Sequence, residues 1–285
     1  MGETNKKTKD KEQSSKLVFL RVWERISDHN VLGRAAQLSY YFLLALFPLL
    51  IFLVTLLGYF ASAGSQLRDS LISYLGSVMP YSALMLVHST LDEVTASRGG
   101  GKLSFSLLAA LWVASSGMGA ISDTLNSAYN VKETRPWWKV RLISVALTIG
   151  LAVLILTALV IVLYGGRAGD LVANWVGLGS AFTTGWQMLQ WPTMLAFVYL
   201  TFHLIYFFAP NRPRTRWHWL SWGTLAALIL WLMISFGLRI YLHFFNSYSL
   251  TYGSLGALIV LMLWFYLTGV AVLVGGEVNS ELEDN

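Results

Sequence analysis

Cysteine is absent from the 285 residues. That single absence excludes thiolate nucleophiles, cysteine-ligated metals, iron–sulfur clusters and disulfides. Charge is the second scarcity: 12% of the residues are charged, against about 25% in soluble domains. The chain is also 55% hydrophobic, with a mean hydropathy of +0.57. It cannot clothe a soluble globule in charge, so most of it belongs in lipid. Catalytic signatures are missing as well. There is no HExxH, no GxSxG, no zinc-ligand spacing and no GxxxxGK[ST] phosphate loop, and the five histidines are scattered at 29, 88, 203, 218 and 243. Metal-assisted RNA cleavage needs clustered carboxylates. Asp92 and Glu93 fall on the outer side of the topology derived below, and the inner carboxylates stand beside arginines that would compete with metal. No cofactor, metal, ATP site or nucleic-acid partner is expected. No cleavable signal peptide is expected either, because residues 1–16 are polar and Leu17 to Leu32 is amphipathic.

What is present is a set of six apolar runs, each long enough to cross about 30 Å of hydrocarbon at about 1.5 Å per residue. They lie near residues 35–61, 103–122, 142–164, 186–208, 217–238 and 254–276. The expected fold is all-α: a polytopic membrane protein of six transmembrane helices with amphipathic interfacial helices. Its parts are a basic tail (1–16), an interfacial helix (17–33), a six-span membrane domain (34–281) and a short C-terminal tail (282–285). Pro48 should kink the first span, since it removes a backbone donor and crowds residue 44. Ser115/Gly119 and Ser116/Ala120 in the second span are small pairs that suit close helix packing.

Lysine and arginine counts set the orientation. The N-terminal region through Arg34, the link from Asp123 to Arg141, and Arg212, Arg214 and Arg216 together hold 15 of the 20 basic residues. Arg68, Arg98, Lys102, Arg167 and Arg239 lie on the other side. This places both termini in the cytoplasm. Trp137, Trp138, Trp217, Trp219 and Trp222 fall at the cytoplasmic interface, the depth amphipathic rings favour. Membrane lipids are the expected partners. The first outer link repeats Leu67, Leu71, Tyr74, Leu75 and Val78 at helical spacing before Pro80, so interfacial helices are expected near 66–95. The GGGK that follows reads as a loose hinge, and the link from Gly165 to Gly185 as a Gly-rich interfacial segment carrying Trp175.

Four charges then arrive at one depth on four helices: Arg34, Asp123, Arg141 and Glu277. Arg34, Gln37 and Tyr41 share a helix face, as do Asp123, Asn126 and Asn130, and Asn279 follows Glu277. Gly275 and Gly276 leave room for a neighbouring backbone. The expected site is a polar cluster of Arg34, Asp123, Asn126, Arg141, Glu277 and Asn279, with Glu277 aimed at Arg34 or Arg141. It acts either as a lock on helix ends or as a gate or headgroup site. Deeper in the bilayer, His203 is the clearest ionisable residue. Arg239, with Tyr241 and His243, reaches the outer headgroups.

Three blocks, RAAQLSYYFLLALFPLL, LNSAYNVKETRPWWKVRLISV and YGSLGALIVLMLWFYLTGVAVLVGGEVN, resemble the YihY/BrkB family of bacterial inner-membrane proteins. The matching positions include Arg34, Ala35, Pro48, Asn126, Tyr129, Arg141, Tyr252, Gly253, Gly276, Glu277 and Asn279. The resemblance runs from about residue 20 onward and implies a multi-span helical protein. Members have carried the label ribonuclease BN, and others are associated with serum resistance and envelope lipid export. The resemblance therefore implies a transporter of a lipid-like or amphiphilic substrate, without ATP hydrolysis by this chain. A structural or interaction protein of the envelope is the alternative, and a ribonuclease the remote one.

Overall fold

The computed structural model describes residues 20–61, 73, 100–176, 179–212, 219–244 and 254–283. Seven helices account for nearly all of them, with no strand among the described residues. They are α1 (residues 20–28), α2 (Val31–Ala61), α3 (Gly100–Ala128), α4 (Trp137–Val176), α5 (Gly179–Phe208), α6 (Trp222–Phe244) and α7 (Ser254–Glu283). The six long helices lie on the six apolar runs. Four of them, α4 to α7, are long and apolar enough to cross a membrane, and α2 contributes a shorter apolar stretch over Val31–Leu46. The basic tail, the outer interfacial helices near 66–95 except residue 73, and Trp217, Arg214 and Arg216 lie outside the described residues.

Three segments differ from expectation. Gly100–Lys102 form the first turn of α3 rather than a hinge. Most of the Gly165–Gly185 link is helical, because α4 runs on to Val176 and α5 begins at Gly179. At 40 residues, α4 is about 60 Å long and exceeds a hydrocarbon core. Glycine weakens a helix by only about 0.5–1 kcal/mol relative to alanine, so scattered glycines do not end one. The last helix also passes through Gly275 and Gly276 and stops only at Glu283. Glu277 therefore stands inside α7, not at its end.

Two helix ends are closed by asparagine. Asn30 (φ 49°) and Asn130 (φ 51°) take the left-handed conformation, which asparagine tolerates better than most residues. After α3 the Asn130 amide donates to Ser127 O (3.0 Å) and the Val131 amide to Asn126 O (2.8 Å). This paired closure satisfies carbonyls the helix leaves open.

The chain divides into two compact units. The first comprises residues 1–43, 119–140 and 202–285, and the second residues 44–118 and 141–201. In the second, Phe52, Leu111 and Ala152 form a core from α2, α3 and α4, flanked by Leu49, Ala110 and Val145. In the first, α6 and α7 pack against each other. They meet at Gly223 and Gly275: a Cβ on Gly275 would lie 2.7 Å from Gly223 O and 2.3 Å from Tyr206 Oη. Small residues allow this approach, which supplies dispersion contacts that lipid cannot match. The Tyr206 hydroxyl donates to Val272 O (2.7 Å). Phe42–Phe265, Phe202–Trp231 and Trp231–Trp264 ring contacts tie α2, α5 and α6 to the same helix or to each other.

Candidate functional site

The site belongs to the first unit and begins with α1. Val22, Arg25, Ile26 and His29 follow the i, i+3, i+4, i+7 pattern that places residues on one helix face. All four are wholly or partly buried, while Leu20, Arg21, Trp23, Glu24, Ser27 and Asp28 are exposed. Apolar contact and basic side chains thus share the face that meets α7. On α7, Glu277 and Glu281 stand four residues apart on one face, answering Arg21, Arg25 and His29 at the same spacing.

The result is a ladder of ion pairs. Arg21 Nε lies 3.1 Å from Glu281 Oε1, and Arg25 Nη1 donates to Glu281 Oε2 at 3.1 Å. Arg25 Nε lies 3.9 Å from Glu277 Oε2. His29 Nδ1 lies 2.7 Å from Glu277 Oε1. The Glu277 side chain is 0% exposed, and its Oε2 has no hydrogen-bond partner among the described residues. A buried carboxylate depends on its counter-ions, because its desolvation is large. Here those counter-ions come from α1. Arg34, at the start of α2, does not bond Glu277; its Nε donates to the carbonyl of His29 (2.9 Å) and braces the turn that presents the imidazole.

A second polar node surrounds Asn126. Its Nδ2 donates to Glu133 Oε2 (3.0 Å), and its Oδ1 accepts the Asn211 amide (2.6 Å). Asn211 Nδ2 donates to Lys132 O and Thr134 Oγ1, each at 2.8 Å. Arg135 Nη2 donates to Glu133 Oε2 (2.7 Å) and to Ala209 O (2.8 Å). The Ser122 hydroxyl also donates to Ala209 O (2.5 Å). Arg212 donates to Tyr206 O (2.9 Å). Two guanidinium groups therefore cap the C-terminal end of α5, where open carbonyls and the helix dipole favour cations. The bonds from Arg135 hold the Glu133 carboxyl down at about 2. Arg212 also pairs with Glu283 and sits 4.0 Å over the Tyr129 ring, a cation–π contact. Burial pushes the Tyr129 phenol up, so it stays neutral.

Asn279 makes a third node. Its Oδ1 accepts the Ser221 hydroxyl (2.5 Å) and the Gly223 amide (2.8 Å). A side chain of α7 thus caps the first turn of α6, where amides lack intrahelical partners.

Of the six residues expected to converge, the structure brings Asn126, Glu277, Asn279 and Arg34 into the polar end of the first unit, in separate nodes. Asp123 is exposed; the buried face of α3 is set by Ser122, Leu125, Asn126 and Tyr129 instead. Arg141 lies in the second unit. There it donates to Ser116 Oγ (3.3 Å) and to Trp112 O, with its guanidinium 4.0 Å over the Trp112 ring. The direct side-chain partners of Glu277 are His29 and Arg25, with the Arg34 charge acting on it from farther off. Sequence reasoning missed His29, Arg25 and Glu281. The signal was the matched spacing of 21, 25 and 29 against 277 and 281. His203 is buried within α5. Among the described residues, no group of three or more His, Asp or Glu is gathered as metal ligands.

Large apolar side chains dominate the rest of the surface. Trp23, Trp137, Trp138, Trp219, Leu220 and Trp222 are all more than half exposed, as rings that anchor at a lipid–water boundary are. Between α6 and α7 an open apolar groove of about 330 Å³ is lined by Ile234, Gly237, Leu238, Tyr241, Leu263 and Leu267.

Comparison with known proteins agrees with this picture. The family described as virulence factor BrkB matches residues 22–285. The ribonuclease-like protein YfkH of Bacillus subtilis is 38% identical over 265 residues, covering 93% of this chain and 94% of its own length. A UPF0761 membrane protein of Xanthomonas oryzae pv. oryzae is 26% identical over 270 residues, 92% of this chain but only 59% of its own length. A UPF0761 membrane protein of Xanthomonas campestris pv. campestris is 27% identical over the same shares. No solved structure matches. With the match spanning nearly every residue and the helices long and apolar, the chain belongs to the BrkB family of integral membrane proteins.

Proposed function

We propose that this chain is a six-span inner-membrane transporter that moves a lipid-like or amphiphilic molecule without hydrolysing ATP, with both termini in the cytoplasm. The observation that carries the reading is a pairing of opposites on α7. Glu277 is a fully buried carboxylate on a helix apolar enough to span a bilayer. Ionisable groups on such helices mark pathways and binding sites more often than packing. Leu263 and Leu267, on the same helix, line the apolar groove. They stand 10 to 14 residues before Glu277, about 15–21 Å along the axis. One helix therefore offers an apolar seat and a charged end, the two halves an amphiphile needs. Arg34, Asn126, Asn279 and the ladder residues hold the charged end in shape. The exposed tryptophans and the 15-to-5 split of basic residues support the orientation.

The test is reconstitution. Purified protein in vesicles carrying a headgroup-labelled phospholipid in both leaflets should make the inner-leaflet label accessible to a membrane-impermeant quencher faster than empty vesicles do. Glu277→Gln and Arg34→Ala should each abolish the gain while the protein remains folded. Full activity in both would remove the site from the mechanism, and no gain for the native protein with several headgroups would favour a structural role in the envelope. A reporter fused after Asn285 should read cytoplasmic. The name of the Bacillus subtilis relative motivates a parallel assay, in which purified protein free of soluble nuclease should leave RNA intact with and without divalent metal.

A further inference from the structure

We propose that His29 and Glu277 form a proton-binding site that sets how tightly α1 is seated on α7. The inference does not depend on transport. It starts from the unequal rungs of the ladder. Arg21 and Arg25 are permanently charged and close on Glu281 at 3.1 Å each. Glu277 is served by Arg25 only at 3.9 Å and by His29 at 2.7 Å. Histidine is the one side-chain type on the ladder that can exchange a proton between pH 5 and 8, and it is the rung nearest the buried carboxylate.

Four charged groups and two phenols surround the pair. Arg21 and Arg25 face it from α1 and Arg34 from α2, with Glu281 one turn along α7. Tyr129 and Tyr206 are the phenols, from the α3 and α5 side, and burial keeps Tyr129 neutral. The Glu277 side chain is sealed from water while that of His29 is 24% exposed, so the imidazole is the proton's route in. The step is simple. With Nδ1–H donating to Glu277 Oε1, a proton from water adds to Nε2, and the hydrogen bond becomes an imidazolium–carboxylate pair. No other bond changes. Loss of that proton leaves Glu277 anionic and buried with no charged partner closer than the Arg25 guanidinium at 3.9 Å, a state relieved when α1 lifts and water reaches the carboxylate. Acid therefore seats α1 and alkali loosens it, while the Glu281 rungs keep it tethered at both extremes.

Because the chain has no cysteine, single cysteines can report the motion. Val22 faces the protein at 7% exposure and Ser27 is exposed. Val22→Cys and Ser27→Cys proteins in vesicles would be reacted with a soluble maleimide from pH 5.5 to 8.0. The ratio of the two rates removes the pH dependence that both thiols share, and the His29→Gln background removes what differs between them. The expected result is a ratio that rises at least threefold toward pH 8.0. In the His29→Gln background it should be flat at the high, alkaline value, and Glu277→Gln should flatten it too. His29 lies in a partly exposed turn, so the His29→Gln background suffices should Glu277→Gln fail to fold. A ratio that does not change with pH in the otherwise native protein, or that changes equally after His29→Gln, would overturn the proposal.

Discussion

His29 Nδ1 lies 2.7 Å from Glu277 Oε1, although 248 positions separate the two residues in the chain. The contact joins the first described helix to the last. It gives a carboxylate with no exposed surface its nearest side-chain partner.

Removing that carboxylate outright should be costly. Glu277→Ala leaves His29 and Arg25 facing an emptied pocket, and breaking a buried pair costs about 3–5 kcal/mol. Glu277→Gln keeps the shape and one acceptor, and should cost less. Thermal unfolding of the purified protein in detergent should rank native above Glu277→Gln above Glu277→Ala. Equal midpoints for all three would mean the side chain is solvated rather than buried.

The α6–α7 approach makes a sharper steric prediction. Alanine at Gly275 places a methyl 2.3 Å from Tyr206 Oη and 2.7 Å from both Ala227 Cβ and Gly223 O. Backbone cannot yield as a flexible side chain can, and overpacking costs about 1–3 kcal/mol or more. Gly150 in α4 has nothing within 4 Å of the same position. Gly150→Ala should be neutral or stabilising by about 0.5–1 kcal/mol, since alanine favours the helix. Unfolding midpoints that fell equally for both substitutions would contradict the close contact.

Much of this architecture is legible in hydropathy, because a span must be apolar for about 20 residues and the bilayer enforces that length. A helix ahead of α2 lies within the amphipathic stretch from Leu17 to Leu32, over residues 20–28. What hydropathy does not carry is which polar side chains meet. Asp123, Asn126 and Asn130 share a helical face on paper. The structure instead buries Ser122, Asn126 and Tyr129, exposes Asp123 and uses Asn130 to turn the chain. Gly165–Gly185 and GGGK read as links because glycine is the usual mark of a break, yet helix continues through most of both. His29 drew no notice among scattered histidines, since its partner is almost a full chain length away.

The Asn126 node predicts a pH effect with a definite sign. Glu133 is held at about 2, below its ordinary value of 4.5, chiefly by its bond to Arg135. A lowered carboxyl contributes stability that is complete above about pH 4.5 and is lost as pH falls toward 2. Glu133→Gln should therefore be less stable than the native protein at pH 7, by about 1–2 kcal/mol for a charge-assisted bond. The gap should narrow steadily below pH 4.5. A difference that stayed constant down to pH 3 would show the carboxylate to be unpaired.

Asn126 and Asn279 should behave as structural residues. Asn126→Ala strips a partner from the Asn211 amide and from Glu133, and Asn279→Ala uncaps α6. Each should cost about 1–2 kcal/mol. Lipid movement per folded molecule should survive both, unlike Glu277→Gln. Loss of movement in well-folded Asn279→Ala protein would place that residue in the transport site itself.

The most direct test of the ladder is a covalent one. In this cysteine-free chain, His29→Cys combined with Glu277→Cys should form a disulfide under mild oxidation in the membrane. That bond would hold the segment carrying α1 and α2 to α7 after cleavage at a protease site inserted between residues 62 and 99. Ser27→Cys with Glu277→Cys, from the opposite face of α1, should form none. Efficient bridging in the control pair, or none between positions 29 and 277, would contradict the seat of α1 on α7.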